Sequence, residues 1–240
     1  MTERLQKHLA SLGLGSRREI EGWIRADRVV VDGQTAELGC RVDDLSEIIV
    51  DGVTIDRRGG DTSQSRVLIY HKTEGEICTR DDPAGRPTVY RGLPSLDKGR
   101  WISVGRLDFN TTGLLLFTDD GGLAHRLMHP KFGLEREYLC RLYGEVTPTK
   151  ISQLKKGIHL DGKLCSFDKV RLRRGLSKNQ WYEVVVHEGR YREIRRLWAA
   201  VNCTVSRLVR IRYGAIELPR DLKPGNVREL DTNDLVKLLR

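Results

Sequence analysis

The sequence predicts an α+β protein in which a small α/β module is followed by a mostly antiparallel mixed sheet with flanking helices. Three observations lead to this prediction. The first 58 residues show two helical patterns and then two strand patterns, the next eight residues lack apolar anchors, and from Val67 onward β-branched stretches alternate with helix-like segments. We therefore divide the chain into a module over 1–58, a flexible linker over 59–66 and a larger domain over 67–240.

The N-terminal module is predicted to start with two short helices. The first carries three leucines at helical spacing: Leu5, Leu9 and Leu12. The second opens with a capping box formed by Ser16 and Glu19. Its apolar face holds three residues: Ile20, Trp23 and Ile24. Strand and turn patterns over 29–33 and 47–52 complete the module.

The larger domain contains four clear strand patterns and two helix patterns. The strands are predicted at residues 67–70, 138–143, 181–186 and 205–211. One helix should start at Thr147 and Pro148, a hydroxyl cap followed by proline in the first helical position. Another is predicted over 190–201, with Ile194, Leu197 and Val201 on its buried side and Trp198 at the edge of that side.

Composition argues against several classes of protein. The sequence shows neither a long apolar run nor a secretory leader, so we expect a cytoplasmic protein that does not bind membranes. Its five cysteines are scattered, which predicts reduced and mostly buried thiols. His125 and His129 lie four residues apart but have no acidic partner between them, and we therefore expect no metal site.

The net charge of +9 indicates a polyanionic partner such as nucleic acid. Between positions 169 and 212 there are twelve basic residues and only three acidic ones, an excess of nine that equals the charge of the whole chain. This distribution predicts a stripe that faces phosphates. Residues 1–60, in contrast, carry nine basic and eleven acidic side chains, so any RNA contact there must come from a local face.

The most informative motif is Gly-Arg-Leu-Asp at residues 105–108, which precedes a polar turn and the apolar run 114–117. A buried strand at this run would fix the turn and, with it, the carboxylate of Asp108. Spacing alone leaves two interpretations open. Asp108 either accepts hydrogen bonds from the turn amides, as aspartates often do, or it is positioned for chemistry.

Five motifs in series resemble the bacterial rRNA pseudouridine synthases that modify the large ribosomal subunit and carry an N-terminal S4-type RNA-binding domain. They are residues 105–108, Thr-Asp-Asp-Gly at 118–121, Arg-Leu-Met-His-Pro at 126–130, Glu-Arg-Glu-Tyr at 135–138 and the basic segment 188–198. This resemblance covers nearly the whole chain. It implies isomerisation of a uridine to pseudouridine in large-subunit (23S) ribosomal RNA, with the base flipped out of its stack.

The resemblance also assigns roles to individual residues. Asp108 would be the catalytic carboxylate, as nucleophile at C1′ or base at C2′, and Arg195 would pair with it and keep it ionised. Tyr138 would stack on the target uracil, and Arg106 would occupy the position that the base leaves. RNA-binding positions are expected in both domains: Arg4, Lys7, Ser16, Arg17, Arg18, Arg28, Arg190, Arg192 and Arg196.

The same resemblance implies no cofactor, and a monomer that acts on ribosomal RNA or on a pre-ribosomal particle. Arg195 and Glu137 favour the large-subunit branch over the small-subunit enzymes, whereas Tyr191 departs from the asparagine of many relatives. Two other functions remain open: a non-catalytic rRNA-binding assembly factor, and a glycoside hydrolase with Asp119 and Asp120 as its acids. Adjacent acids on a turn are, however, more typical of capping.

Overall fold

The computed structural model describes residues 2–43, 45–55, 65–97, 99–173, 180–231 and 234. The chain divides into two compact units. The first consists of Met1–Ser65, Ser95–Trp101 and Asp119–Gly121, and the second of Arg66–Pro94, Ile102–Thr118 and Gly122–Arg240. Most of the predicted linker lies outside the described residues, as do Arg174 and Lys178 of the basic segment. No helix in the described ranges is long and apolar enough to cross a bilayer.

The first unit combines two helices with short strands. Its elements are β1 (Glu3–Arg4), α1 (Leu5–Ser11), α2 (Arg17–Arg25), β2 (Val29–Val31), β3 (Gln34–Thr35), β4 (Arg41–Val42), β5 (Ile48–Val50) and β6 (Val53–Thr54). Four of the strands form an antiparallel sheet in the order β3-β2-β5-β6, and β1 pairs with β4. The two predicted helices and the two strand and turn units are confirmed.

The capping box at the start of α2 is present. The Ser16 hydroxyl accepts a hydrogen bond from the Glu19 amide at 3.1 Å, and the Glu19 carboxylate accepts one from the Ser16 amide at 2.5 Å. Below these helices, the core is built from aliphatic side chains of both helices and of β2 and β5: Leu5, Leu9, Ile20, Ile24, Val29, Val31, Ile48 and Val50. Four of the six residues of the predicted apolar faces are therefore buried, whereas Trp23 is partly buried against this core and Leu12 is the partly buried C-cap of α1.

The second unit is organised around one large sheet. The strands of this unit are β7 (Val67–Lys72), β8 (Ile102–Val104), β9 (Thr112–Thr118), β10 (Arg136–Tyr143), β11 (Ile158–Leu160), β12 (Lys163–Cys165), β13 (Lys169–Arg173), β14 (Gln180–Val186), β15 (Thr204–Tyr213), β16 (Ile216–Glu217) and β17 (Val227–Glu229). Strands β11 and β12 form a separate two-stranded sheet. The helices are α3 (Gly121–Met128), a 3₁₀ turn (Pro130–Phe132), α4 (Pro148–Lys156) and α5 (Glu193–Ala200). As predicted, Thr147 caps α4 and Pro148 is its first residue.

The sheet has the order β13-β14-β10-β15-β9-β7-β17, with β16 added to β15 and β8 added to β9. Only the β15–β9 pairing is parallel among the described strands, so the predicted mostly antiparallel mixed sheet is confirmed. The predicted apolar run 114–117 lies in β9, where all four side chains are fully buried. Cys140, Cys165 and Cys203 are also buried, and all five thiols are free.

Helix α5 differs from its prediction at its N-terminus. It begins at Glu193 instead of residue 190, because Arg192 adopts a left-handed backbone conformation (φ +48°) and acts as the N-cap. The apolar side is nevertheless as expected, with Ile194, Leu197 and Val201 buried. Trp198 is fully buried instead of lying at the edge.

A glycine allows β9 and β15 to approach each other closely. Gly113 has φ +105°, and a β-carbon at this position would overlap the carbonyl oxygen of Arg210 and lie 2.7 Å from its nitrogen. Neither backbone can shift without breaking the pairing of β9 with β15. The parallel crossing next to the 108–111 turn therefore requires glycine.

We expect Gly113→Ala to lower the free energy of unfolding by at least about 2 kcal/mol, because the new methyl group clashes with the backbone and the φ angle is unfavourable for alanine. Urea denaturation measures this change. The matched control is Gly92→Ala, since a β-carbon at this exposed glycine meets no atom within 4 Å. The control should stay within about 0.5 kcal/mol of wild type. Equal stability of both variants would contradict the close-packing argument.

Candidate active site

A cavity of about 840 Å³ opens in the second unit beside the turn that joins β8 to β9. Its wall includes most of the residues that the sequence singles out in the larger domain: Arg106, Asp108, Tyr138, Arg190, Arg192 and Arg195. These residues come from the turn, from β10, from the segment that leads into α5 and from α5 itself. The fold thus brings together side chains that are up to 89 positions apart in the chain.

Asp108 presents its carboxylate to this cavity. The turn that follows is closed by the Thr111 amide, which donates to the main-chain carbonyl of Asp108 at 3.0 Å. The carboxylate itself makes no hydrogen bond or ion pair with any residue that the structure describes. The interpretation of Asp108 as a turn-capping residue is therefore wrong, because the main chain closes the turn and leaves the carboxylate oxygens available.

A buried lysine holds this turn from one side. Lys72, at the end of β7, is fully buried, and its ammonium donates to the carbonyls of Thr73 at 2.8 Å and Thr111 at 2.9 Å. The carbonyl of Phe109 lies 3.5 Å from the same nitrogen. Burial lowers the pKa of Lys72 from its ordinary value, while nearby Cys78, Glu76 and Asp108 oppose that shift.

An arginine of α5 holds the turn from the other side. One Nη of Arg195 donates to the carbonyl of Asn110 at 2.9 Å, and the other donates to the carbonyl of Val205 in β15 at 2.7 Å. Burial is the largest cause of the lowered pKa of Arg195; the Arg192 charge adds to it, and the Asp108 carboxylate opposes it. Arg195 therefore links the turn to β15 and places positive charge near Asp108.

Tyr138 lies on β10 with its ring in the cavity wall and only 7% of the residue exposed. Its hydroxyl has no hydrogen-bond partner among the described residues. The neighbouring Glu137 points to the opposite face of the sheet, where it accepts from Arg212 at 2.6 Å. Tyr138 therefore offers an apolar ring and an unused hydroxyl to the cavity.

A cysteine supports the residue that precedes Asp108. The Cys78 thiol donates to the Leu107 carbonyl at 3.3 Å and accepts from the Leu107 amide at 3.4 Å. Burial raises the pKa of Cys78, so the neutral thiol that makes both contacts is the favoured form. Cys78 and Lys72 were not among the predicted site residues. The only sequence signal for Lys72 is its charge at the end of an apolar strand pattern.

The other predicted arginines near the cavity occupy different places. Arg106 is exposed at the cavity wall. Arg190 also lines the cavity and pairs with Glu188, and Arg192 lies beside it. Arg196 does not line the cavity; it pairs with Asp161 at 2.7 and 2.8 Å. Arg190 and Arg192 therefore precede α5, and the prediction that the helix spans 190–201 is wrong for these two residues.

The predicted basic stripe over 169–212 is also not a single surface. Side chains on a strand alternate between its two faces, and this segment contains β13, β14 and β15 as well as α5. Arg210 is fully buried and donates to the Leu114 carbonyl at 2.7 Å. The described basic residues are therefore divided among the cavity, the protein interior and the opposite face of the sheet.

The predicted RNA-binding positions of the N-terminal unit fall into two groups. Arg4, Arg17 and Arg18 are exposed and have no partner among the described residues. The remaining three make contacts within the unit: Lys7 pairs with Glu3 at 2.9 Å, Arg28 with Asp51 at 2.5 Å, and the Ser16 hydroxyl caps α2. Within the described ranges, no group of three or more side chains is arranged to hold a metal ion.

We expect Lys72→Met to lower the free energy of unfolding by about 1–3 kcal/mol, because carbonyls of Thr73 and Thr111 lose a buried donor. Chemical denaturation measures the loss. The control is Lys155→Met on the exposed surface of α4, which should change stability by less than about 0.5 kcal/mol. A Lys72→Met variant as stable as the control would show that the ammonium does not hold the turn.

Comparison with known proteins assigns both parts of the chain. The family model for RNA pseudouridylate synthase matches residues 66–200, and that for the S4 domain matches residues 3–49. The chain is 52% identical to "Ribosomal large subunit pseudouridine synthase B" of Pseudomonas aeruginosa over 234 residues, which are 97% of this chain and 61% of that protein. It is also 52% identical to the protein of the same name from Escherichia coli (strain K12), over 100% of this chain and 84% of that protein.

A solved structure agrees with this assignment. The chain described as "Crystal structure of pseudouridylate synthase" is similar with a TM-score of 0.68 and 29% sequence identity, over 98% of this chain and 99% of that one. The synthase match includes Asp108, Tyr138 and Arg195, and so covers the three residues that the fold brings to one cavity. The chain belongs to the RNA pseudouridylate synthase family and carries an N-terminal S4 domain.

Proposed function

We propose that this protein converts a specific uridine of large-subunit (23S) ribosomal RNA to pseudouridine, and that Asp108 is its catalytic carboxylate. The observation that carries the proposal is the joint presence of an unpartnered carboxylate, an aromatic ring and a half-buried guanidinium in the wall of one cavity. The large-subunit target is supported by the names of relatives that are 52% identical. The chain spans 61% of the length of the first of these relatives and 84% of the second.

The reaction balances within the nucleotide. The bond between N1 and C1′ breaks, the uracil turns while bound, and a bond between C5 and C1′ forms as a proton leaves C5 and another is added at N1. No oxidant or external energy enters this balance, and we propose that no cofactor takes part. Asp108 acts at the ribose, either as nucleophile at C1′ or as base at C2′.

The residues around Asp108 would each do a separate task. Arg195 and Lys72 position the turn, and Arg195 also places positive charge near the carboxylate. Tyr138 stacks on the target uracil and assists removal of the C5 proton. Arg106, exposed at the cavity wall, occupies the stack after the base has left. This last contact offsets part of the cost of flipping, which is a few kcal/mol.

The S4 domain would hold RNA outside the cavity. Arg4, Arg17 and Arg18 are exposed and free for phosphate contacts, whereas Lys7, Arg28 and Ser16 would need to exchange their present partners for RNA. We further propose that residues 1–58 and 67–240 act as separate domains joined by the linker at 59–66. The protein would work as a cytoplasmic monomer on ribosomal RNA or on a pre-ribosomal particle.

Asp108→Asn should abolish pseudouridine formation and leave folding and RNA affinity unchanged, because the amide keeps the shape of the side chain and removes its charge. Chemical mapping of pseudouridine in ribosomal RNA from cells that express only the variant measures this loss and also identifies the uridine. The control is Asp97→Asn, the same change at an exposed carboxylate outside the cavity.

An unchanged modification profile with Asp108→Asn would rule out the assigned role. Loss of a site only in small-subunit RNA would contradict the proposed target while leaving the chemistry intact. A protein that binds ribosomal RNA but modifies none of it would be an assembly factor.

Tyr138→Phe separates the two roles of the tyrosine. The phenylalanine ring keeps the stacking surface, so the apparent KM should stay within about twofold of wild type. Loss of the hydroxyl should lower kcat by about 10²–10⁴ if it transfers the C5 proton. Single-turnover kinetics on a uridine-containing RNA distinguish these effects, and an unchanged rate would assign Tyr138 to stacking alone.

A further inference from the structure

The face of the large sheet that points away from α5 carries a row of cations that the proposed active site does not use. Side chains along β14 alternate between the two faces of the sheet, and this alternation determines which of them lie on the face remote from α5. Tyr182 packs against Trp198 of α5, with ring centroids 5.6 Å apart, so its neighbours Trp181 and Glu183 point to the opposite side. Tyr138 and Cys140 of β10 share the side of Tyr182, which makes Arg141 part of the opposite face.

Four residues at one end of this face lie side by side across four strands. Arg173 of β13 is opposite Trp181 of β14, Trp181 is opposite Arg141 of β10, and Arg141 is opposite Arg207 of β15. We call these four residues the outer row. Because neighbouring strands are about 4.8 Å apart, the row is roughly 14 Å long.

The composition of the outer row is unusual for a surface that only meets water. The next two rows along the same face each contain an acid: Glu183 with Arg171 in the first, and Glu137 with Lys169 and Arg212 in the second. The outer row has three arginines and no acid. Like charges directly opposite each other on neighbouring strands destabilise a sheet, and Arg141 and Arg207 form such a pair.

The contacts within the row leave much of its charge available. Arg207 is exposed and has no partner among the described residues. Arg141 makes one hydrogen bond, from Nε to the Ser206 hydroxyl at 3.0 Å, which directs the guanidinium without neutralising it. Arg173 is 3.3 Å from Glu183, a carboxylate that it shares with Lys169. The register of β10 against β15 shifts between Arg141 and Leu142, where Ser206 of β15 is the extra residue, so the row lies next to an irregularity of the sheet.

We propose that the outer row is a second RNA-binding surface, which holds a segment of the substrate that flanks the target on the side of the sheet remote from the cavity. The three guanidiniums bind phosphates, and the half-exposed indole of Trp181 offers a surface on which a base or ribose packs. This inference rests on the proposed function, since the same RNA supplies the target. An RNA phosphate backbone is the partner because it cancels the repulsion that the row otherwise carries.

The test compares a triple variant, R141Q/R173Q/R207Q, on two RNAs. One is a hairpin only large enough to present the mapped target uridine to the cavity, and the other extends this hairpin by its natural helical arms. On the extended RNA, the variant should lose about tenfold in affinity. The slope of log affinity against log salt should fall by about 2–3, since each lost phosphate contact removes about 0.7–0.9. On the hairpin, kcat, KM and affinity should equal those of wild type.

The matched control removes the same charge elsewhere in the second unit. K155Q/K156Q/K163Q changes three exposed lysines of α4 and β12, and it should bind both RNAs as wild type does. An equal loss in this control would mean that net charge alone is responsible, and would overturn the proposal. Equal losses on the hairpin and on the extended RNA would overturn it as well.

The single variant R207Q keeps the test valid if the triple variant folds poorly. Its melting temperature should equal or exceed that of wild type, because one of two opposed charges is removed. On a logarithmic scale, the loss of affinity of R207Q for the extended RNA should be about a third of the loss of the triple variant. The role of the outer row in RNA binding is rejected if wild type modifies both RNAs normally and R207Q binds the extended RNA as tightly as wild type does. The proposed function would still stand in that case.

Discussion

The geometry of the candidate site depends on how two cations, the buried Lys72 and the half-buried Arg195, hold the backbone of one turn. Lys72 and Arg195 donate hydrogen bonds to main-chain carbonyls within residues 109–111, directly after Asp108. Carbonyl oxygens are good acceptors for ammonium and guanidinium groups, so Lys72 and both Nη atoms of Arg195 find partners without a carboxylate. This leaves the charge of Asp108 unpaired at close range to Arg195. An ion pair with either cation would instead have occupied the carboxylate.

The sheet order explains why both cations reach the same turn. Strand β9, which the turn precedes, lies between β15 and β7. Lys72 is the last residue of β7, and Arg195 is anchored to β15 through the Val205 carbonyl. The turn therefore receives one cation from the neighbouring strand β7 and the other from α5, which Arg195 links to β15. The close crossing of β9 and β15 at Gly113 brings the second of these strands near enough, and in this way a single glycine contributes to the geometry of the site.

Much of the fold is predictable from the sequence because local patterns determine it. The capping box of Ser16 and Glu19, the proline start of α4 and the apolar run of β9 are all short-range signals that the structure confirms. Apart from the position of Trp198, the predictions that are wrong concern the placement of charge. The sequence does not reveal that α5 starts only after Arg192, or that strand alternation divides the basic segment among three environments.

The candidate site, like the fold, is predictable only in part from the sequence. Asp108, Tyr138 and Arg195 are recognised by resemblance to a family, and the fold places all three at one cavity. Lys72 and Cys78 contact main-chain atoms of the turn, and nothing in a linear pattern indicates which carbonyl or amide a side chain will meet. Residues that position the Asp108 segment through its backbone are thus the ones that the sequence does not reveal.

The most direct test of this account is a crystal structure of the Asp108→Asn protein bound to RNA that contains its target uridine. The account predicts an extruded nucleotide whose ribose contacts the side chain at position 108 and whose uracil lies against Tyr138, with the 109–111 backbone still bound to Lys72 and Arg195. The account would be contradicted if the target uridine remained stacked in the bound RNA. It would also be contradicted if the uridine were extruded but its ribose lay far from position 108.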